Sequence, residues 1–251
     1  MRKYIFLLLL ALVVVGAGCS GTDEGTPGDQ TPSSTKFGTA DWTDYGFLNA
    51  FPAGDVLFCT WTHVTGPGPS GNDYPFVLEC GTNYIICVAG NMAPDAPYYY
   101  NMNTMSYDGD HDVVYVQCTD EAAHGWVFVA WHIAHGGGTT VIRQYLKFGK
   151  SGPLDLVSVE TQNTVYEIQG ISVGGGSHGA WCPTYQMYAR VYEMSAPSSS
   201  AVDAIAMNPD PDPAAWADWG LVSGDVQDRS GHGRHLVLDG TVQPGIQGPG
   251  L

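Results

Sequence analysis

Three stretches of this sequence carry side chains whose types and spacing suit chemistry. The first is "YDGDHD" at 107–112, which places Asp108, Asp110 and Asp112 at alternate positions. A calcium ion takes several hard oxygen ligands at about 2.3–2.6 Å, and carboxylates so spaced converge where the backbone curls. The other reading is a solvated acidic turn. The second is "APDAPYYYNMN" at 93–103, with Tyr98, Tyr99 and Tyr100 followed by Asn101 and Asn103 in a proline-rich stretch read as a loop. Aromatic faces stack on sugar rings and carboxamides bond hydroxyls, so this run suits a glycan or peptide surface. Its alternative is that alternate tyrosines pack beneath the loop. The third, "GGSHG" at 175–179, has the Gly-x-Ser-x-Gly pattern around Ser177. A nucleophile elbow needs a strand before and a helix after. Here "AWCPTYQMYARVY" follows, which reads as strand, so this is a glycine turn.

Eight histidines are present, with no His-Glu-x-x-His. His132 and His135 are three apart and fall on opposite faces of a strand, so they do not converge on a metal. Partly exposed turn histidines are the expectation. The formal net charge is −16. That excludes nucleic acid and anionic lipid as partners, since both need a basic footprint.

The elements that must position these groups read as β. Glycine (33) and proline (16) punctuate short runs rich in Val, Ile, Tyr, Phe, Trp and Thr. Strands are expected at about 55–64, 75–80, 83–89, 112–118, 126–134, 140–148, 164–173 and 185–192. Both faces of 126–134 are apolar, which predicts a central strand covered on both sides. In 185–192 the set Tyr185, Met187, Ala189 and Val191 predicts a buried face, and Gln186, Tyr188, Arg190 and Tyr192 a mixed one. Only 193–207 offers helical turns, with Ser198 to Ser200 as a candidate N-cap. Many strands without alternating helices imply a two-sheet sandwich.

The amino terminus reads as a targeting segment. Arg2 and Lys3 precede an apolar run from Tyr4 to Val15 that is too short to span a membrane. "VGAGCSG" then resembles the lipobox of bacterial lipoproteins, which implies lipidation of Cys19 after removal of residues 1–18. Gly16 departs from the usual Leu, so plain secretion is the alternative. The resemblance implies attachment to the cell envelope, at an outer membrane or cell surface, through lipid alone. Residues 19–36, rich in Gly, Pro, Thr, Ser and Asp, read as a flexible tether. The remaining 37–251 suits one large sandwich. Export permits disulfides. Cys59, Cys80, Cys87, Cys118 and Cys182 are odd in number, which allows two bridges at most.

"HGWVFVAWHIAHGGGTTVIRQYLKFGKSG" (124–152) and "YEIQGISVGGGSHGAWCPTYQMYARVYEMSAPSSSAVDAIA" (166–206) resemble successive parts of laminin-G-like domains. "WADWGLVSGDVQDRSGHGRHLVLDG" (216–240) resembles the first strands of bacterial concanavalin A-like lectin/glucanase jelly rolls. Tyr188 stands where the family usually has an Asp, so no role of that Asp carries over. The resemblance implies an all-β, concanavalin A-like, two-sheet antiparallel jelly roll. It further implies a non-catalytic module that recognises a glycan or an extracellular protein, with calcium as a candidate cofactor, since members of the family often carry it. A polysaccharide hydrolase with a divergent site and a structural envelope lipoprotein are the alternatives. The glucanase branch carries Glu-x-Asp-x-x-Glu. Asp155, Glu160 and Glu167 lack that spacing, which points away from it. The late position of 216–240 predicts a circularly permuted order in which this piece folds back into the same sandwich. A truncated second domain is the rival.

Overall fold

The computed structural model describes residues 33–37, 45–64, 72–80, 83–90, 99–105, 111–117, 125–163, 165–174 and 184–251. The proposed signal, Cys19, the tether up to residue 32, Tyr98, Asp108, Asp110, Cys118, Ser177 and Cys182 lie outside the described residues. The fold is all-β: an antiparallel two-sheet sandwich of jelly-roll type.

The strands are β1 (Ser33–Phe37), β2 (Tyr45–Leu48), β3 (Val56–Val64), β4 (Asn72–Cys80), β5 (Asn83–Gly90), β6 (Tyr99–Met105), β7 (His111–Gln117), β8 (Val127–Gly136), β9 (Thr139–Phe148), β10 (Leu154–Gln162), β11 (Gly170–Val173), β12 (Thr184–Glu193), β13 (Ala217–Trp219), β14 (Val237–Asp239) and β15 (Gln243–Gln247). Sheet A runs β10-β9-β8-β3-β12-β1-β15, with β13 also paired to β12. Sheet B runs β14-β2-β11-β4-β5-β6-β7. Among the described residues one helix, α1 (Ser199–Ala206), covers the outer face of sheet A; its first turn is capped by the Ser198 hydroxyl, which accepts from the Ala201 N–H.

Alternation along the central strands makes two apolar layers. Between the sheets pack Val127, Val129, Trp131 and Ile133 of β8 with Val56 and Phe58 of β3 and Phe76 and Leu78 of β4. The Phe76 ring sits 4.5 Å from Phe58 and 4.7 Å from Trp131, centroid to centroid. The opposite side of β3 and β8 presents Leu57, Cys59, Trp61, Phe128 and Ala130, which α1 covers through Val202 and Ala206. Trp61 Nε1 donates to Ala206 O at 2.9 Å, and the Tyr188 hydroxyl lies 2.7 Å from the same carbonyl, so an unpaired carbonyl at the helix end is satisfied by sheet A.

Several expectations need correction. Ser33–Lys36, read as tether, belong to β1, which pairs with β12 and β15. The Tyr99–Asn103 stretch, read as loop, is strand β6, hydrogen-bonded on both sides. Of the strand expected over 164–173, only β11 enters the ladder. Strand β10 was not foreseen. In β12 the alternation breaks at a bulge between Met187 and Ala189, where Tyr188 has φ 23°. The extra residue puts Met187 with Tyr188 in the layer beneath α1, while Ala189 and Val191 stay in the inter-sheet core. The face expected to be mixed is buried throughout.

Residues 216–251 supply β13, β14 and β15. Trp219 is fully buried opposite Ala189, and its indole N–H donates to Arg234 O at 2.6 Å. The Asp218 carboxylate, also fully buried, lies 3.1 Å from Arg190 Nε and 3.1 Å from Arg229 Nη2. The remaining amino groups of Arg190 donate to Asn208 O at 2.7 Å and Asp210 O at 2.5 Å. A low-dielectric ion cluster of this kind is tolerable only when every charge has partners, and here they come from three chain segments.

Candidate functional site

Of the residues singled out for chemistry, Tyr99, Tyr100, Asn101, Asn103 and Asp112 fall on the paired strands β6 and β7. Phe76 and Leu78 face the core and stand opposite Cys87 and Ile85, which pair in turn with Met102 and Thr104. Along β6, Tyr99, Asn101 and Asn103 pair with Gln117, Tyr115 and Val113 of β7, and Thr104 pairs with Asp112. Among the described residues no group of three or more His, Cys, Asp or Glu stands together to hold a metal ion.

The histidines expected in turns are not uniformly there. His132 is a fully buried strand residue. His63, on β3, lies edge-on to Trp126 and Tyr185, with centroids 5.6 and 6.0 Å away. Cys59 and Cys80 are free, buried thiols. Burial pushes each up to about 12, so neither is a nucleophile at neutral pH. With these two free, Cys87, Cys118 and Cys182 allow one bridge at most among themselves.

A different place has the form of a binding site. At one end of the sandwich a cleft of about 430 Å³ opens between two walls. One wall is Phe51–Gly54, in the connection from β2 to β3, where Gly54 takes φ 101°, a conformation that favours glycine. The other is 165–169, extended but outside the ladder. It is held by Gln169 N donating to Glu79 O at 2.7 Å and Tyr166 N donating to Thr140 Oγ1 at 2.8 Å. Alternation in this wall buries Tyr166 and leaves Val165, Glu167 and Gln169 exposed along the cleft. His135, at the end of β8, completes the lining.

The lining divides by chemistry. Phe51, Pro52, Val165 and Ile168 are apolar; Glu167, Gln169 and His135 are polar; among the described residues no Lys or Arg contributes. Phe51 is braced from behind. Its ring centroid is 6.2 Å from that of Trp216, and the Arg234 guanidinium lies over the Trp216 indole at 4.1 Å. Arg234 also donates to Trp216 O. Its backbone N–H donates to Asp228 Oδ2 at 2.9 Å. Asp228 accepts further bonds from Asp218 N, Ser230 N and Ser230 Oγ. Burial alone would raise this carboxyl, but the donors outweigh it and hold it down at about 2. The "DRSGHGR" turn is thus a rigid prop that ends in the aromatic stack. A second depression of about 200 Å³ flanks Trp216, lined by Glu193, His232 and Arg234 among others.

Residues 51–54, 135 and 165–169 are far apart in sequence, and no local spacing announces them. One available signal was the run of polar and apolar residues at 165–169 just before a short strand. Another was a histidine at the mouth of a triple-glycine turn.

The chain matches no family model and no curated protein. Among solved structures it is similar to a heptameric SAP-like pentraxin from Limulus polyphemus, at 10% identity, covering 88% of this chain and 91% of that one with a TM-score of 0.44. It is also similar to a legume lectin-like domain from Entamoeba histolytica, at 11% identity, covering 67% and 75% with a TM-score of 0.30.

Proposed function

We propose that this chain is a non-catalytic carbohydrate-binding module held at the cell envelope through a lipidated Cys19, and that the end cleft is where it grips sugar. The observation that carries the reading is the cleft's division between a braced aromatic platform and a polar rim. A pyranose has an apolar C–H face and an equatorial girdle of hydroxyls. Phe51 with Val165 and Ile168 suits the first; Glu167, Gln169 and His135 suit the second. A volume of about 430 Å³ falls within the common range for small-ligand pockets, about 300–1,000 Å³. The brace of Trp216 and Arg234 limits the ordering cost of binding.

Strand β6, with Tyr99, Asn101 and Asn103, is the alternative location, with calcium at Asp108, Asp110 and Asp112 as its proposed support. A glycan array of the full chain, with and without EDTA, followed by calorimetry with chitohexaose and cellohexaose, separates the two. We expect oligosaccharide binding that Phe51→Ala weakens at least tenfold and Tyr99→Ala leaves unchanged. The reverse pattern, lost also in EDTA, moves the site to β6. No binding under any condition overturns the function.

A further inference from the structure

The His135 ring stands between the two walls of the cleft. Its Nδ1 lies 3.2 Å from Gly54 O on one wall, and its Nε2 lies 2.8 Å from Tyr166 O on the other. Both partners are carbonyls, which accept and never donate. A neutral imidazole carries one N–H, so it serves one wall and turns a lone pair toward the other; the imidazolium serves both. The ring is held in place from its backbone, whose N–H donates to Asp55 Oδ1 at 2.9 Å.

We propose that His135 is the positioning residue of the cleft, a proton-dependent clamp whose doubly protonated ring ties the Gly54 and Tyr166 walls together and whose neutral ring releases one of them. The groups around it fit that role. From the β2–β3 connection comes the Asp55 carboxylate, and from the 165–169 wall the Glu167 carboxylate. From β9 comes Thr140, whose hydroxyl accepts from Tyr166 N and carries no charge. Among the described residues no Lys or Arg lines the cleft.

His132, three residues earlier on β8, has the opposite wiring. Its Nε2 accepts from Ala196 N at 3.2 Å, and Arg143 Nη1 lies 3.3 Å from its Nδ1. Burial first, then the Arg143 charge, lowers its proton affinity, although a contact with Met194 O works the other way. Protonation of His132 is therefore disfavoured.

For ligand binding the inference rests on the glycan reading of the cleft. A cleft held at fixed width loses less freedom on binding. Affinity is then highest with the ring doubly protonated and falls as pH rises and the ring loses its second proton. One neutral hydrogen bond sets the scale, about three- to tenfold.

The test follows the ring nitrogens of His135 by NMR in the full chain as pH is raised. Amide hydrogen exchange of 51–55 and 165–169 is measured alongside, corrected for intrinsic rates, and chitohexaose affinity is read at each pH. Both nitrogens protonated at low pH are expected, with wall exchange rising about three- to tenfold as the ring loses its proton. In His135→Gln the pH step is expected to vanish from both exchange and affinity. Wall exchange indifferent to the ring's charge, or a step that persists in His135→Gln, overturns the clamp. Chitohexaose affinity that is flat with pH while the walls open overturns its role in binding. A clamp that operates without any chitohexaose binding supports the clamp and counts against the glycan reading alone.

Discussion

The segment 216–236 and the walls of the end cleft are both tied to sheet A, but by different kinds of group. The first is tied by Arg190, Asp218 and Arg229, with Asp218 and Arg190 fully buried and Asp228 accepting four bonds in the turn beyond. The second is tied by His135, partly exposed, through two backbone carbonyls. Removing one partner of a buried carboxylate held between two guanidiniums strands the others. An imidazole between two carbonyls can donate to both only when both ring nitrogens carry protons. One tie is permanent and the other adjustable, and they meet at the stack of Arg234, Trp216 and Phe51.

The largest effect is expected at the permanent tie. Asp218→Ala leaves Arg190 buried without its carboxylate and should cost about 3–5 kcal/mol in urea unfolding. A loss under about 1 kcal/mol would mean that the cluster does not anchor the segment.

Next comes the turn that props the stack. The Asp228 carboxyl is depressed in the folded state to about 2. A depressed carboxyl stabilises above its unfolded value and loses that contribution as pH falls through the folded one. Stability should therefore drop by about 2 kcal/mol between about pH 4 and pH 2, and Asp228→Asn should lack that share of the acid limb. An unchanged acid limb in the variant would contradict the prop.

The smallest stability effect is expected at the adjustable end. Phe51 is half-buried against the core, so Phe51→Ala should cost about 1 kcal/mol in the same unfolding assay. A loss comparable to that of Asp218→Ala would make Phe51 a core residue and erase the contrast between the two ends.

What could be read from the sequence follows the physics of each stretch. The all-β sandwich and the centrality of β8 were legible, because Val127 to Ile133 are apolar on both parities and only a strand covered on both sides uses such a pattern. Ser198 was legible as a cap because a hydroxyl before a short helical run has a local job. Strand β10 was not legible. It is an edge strand with Leu156 and Val159 about half-exposed, so no buried face marks it. The bulge at Tyr188 was hidden because its cause is distant: Tyr188 N donates to Gly220 O, thirty-two residues on. The cleft was hidden for the same reason. Glu167 entered the sequence reading only as a carboxylate with the wrong spacing for a glucanase, and it acquires a place only when topology sets 165–169 against 51–54.

The central claim is that the end cleft is the sugar site. Calorimetry of the full chain with chitohexaose and cellohexaose, in the native protein and in Phe51→Ala, tests it most directly. The account predicts saturable binding of at least one of the two in the native protein, weakened at least tenfold in a Phe51→Ala variant that remains folded. Binding that is indifferent to Phe51, or no binding of either sugar, would contradict it.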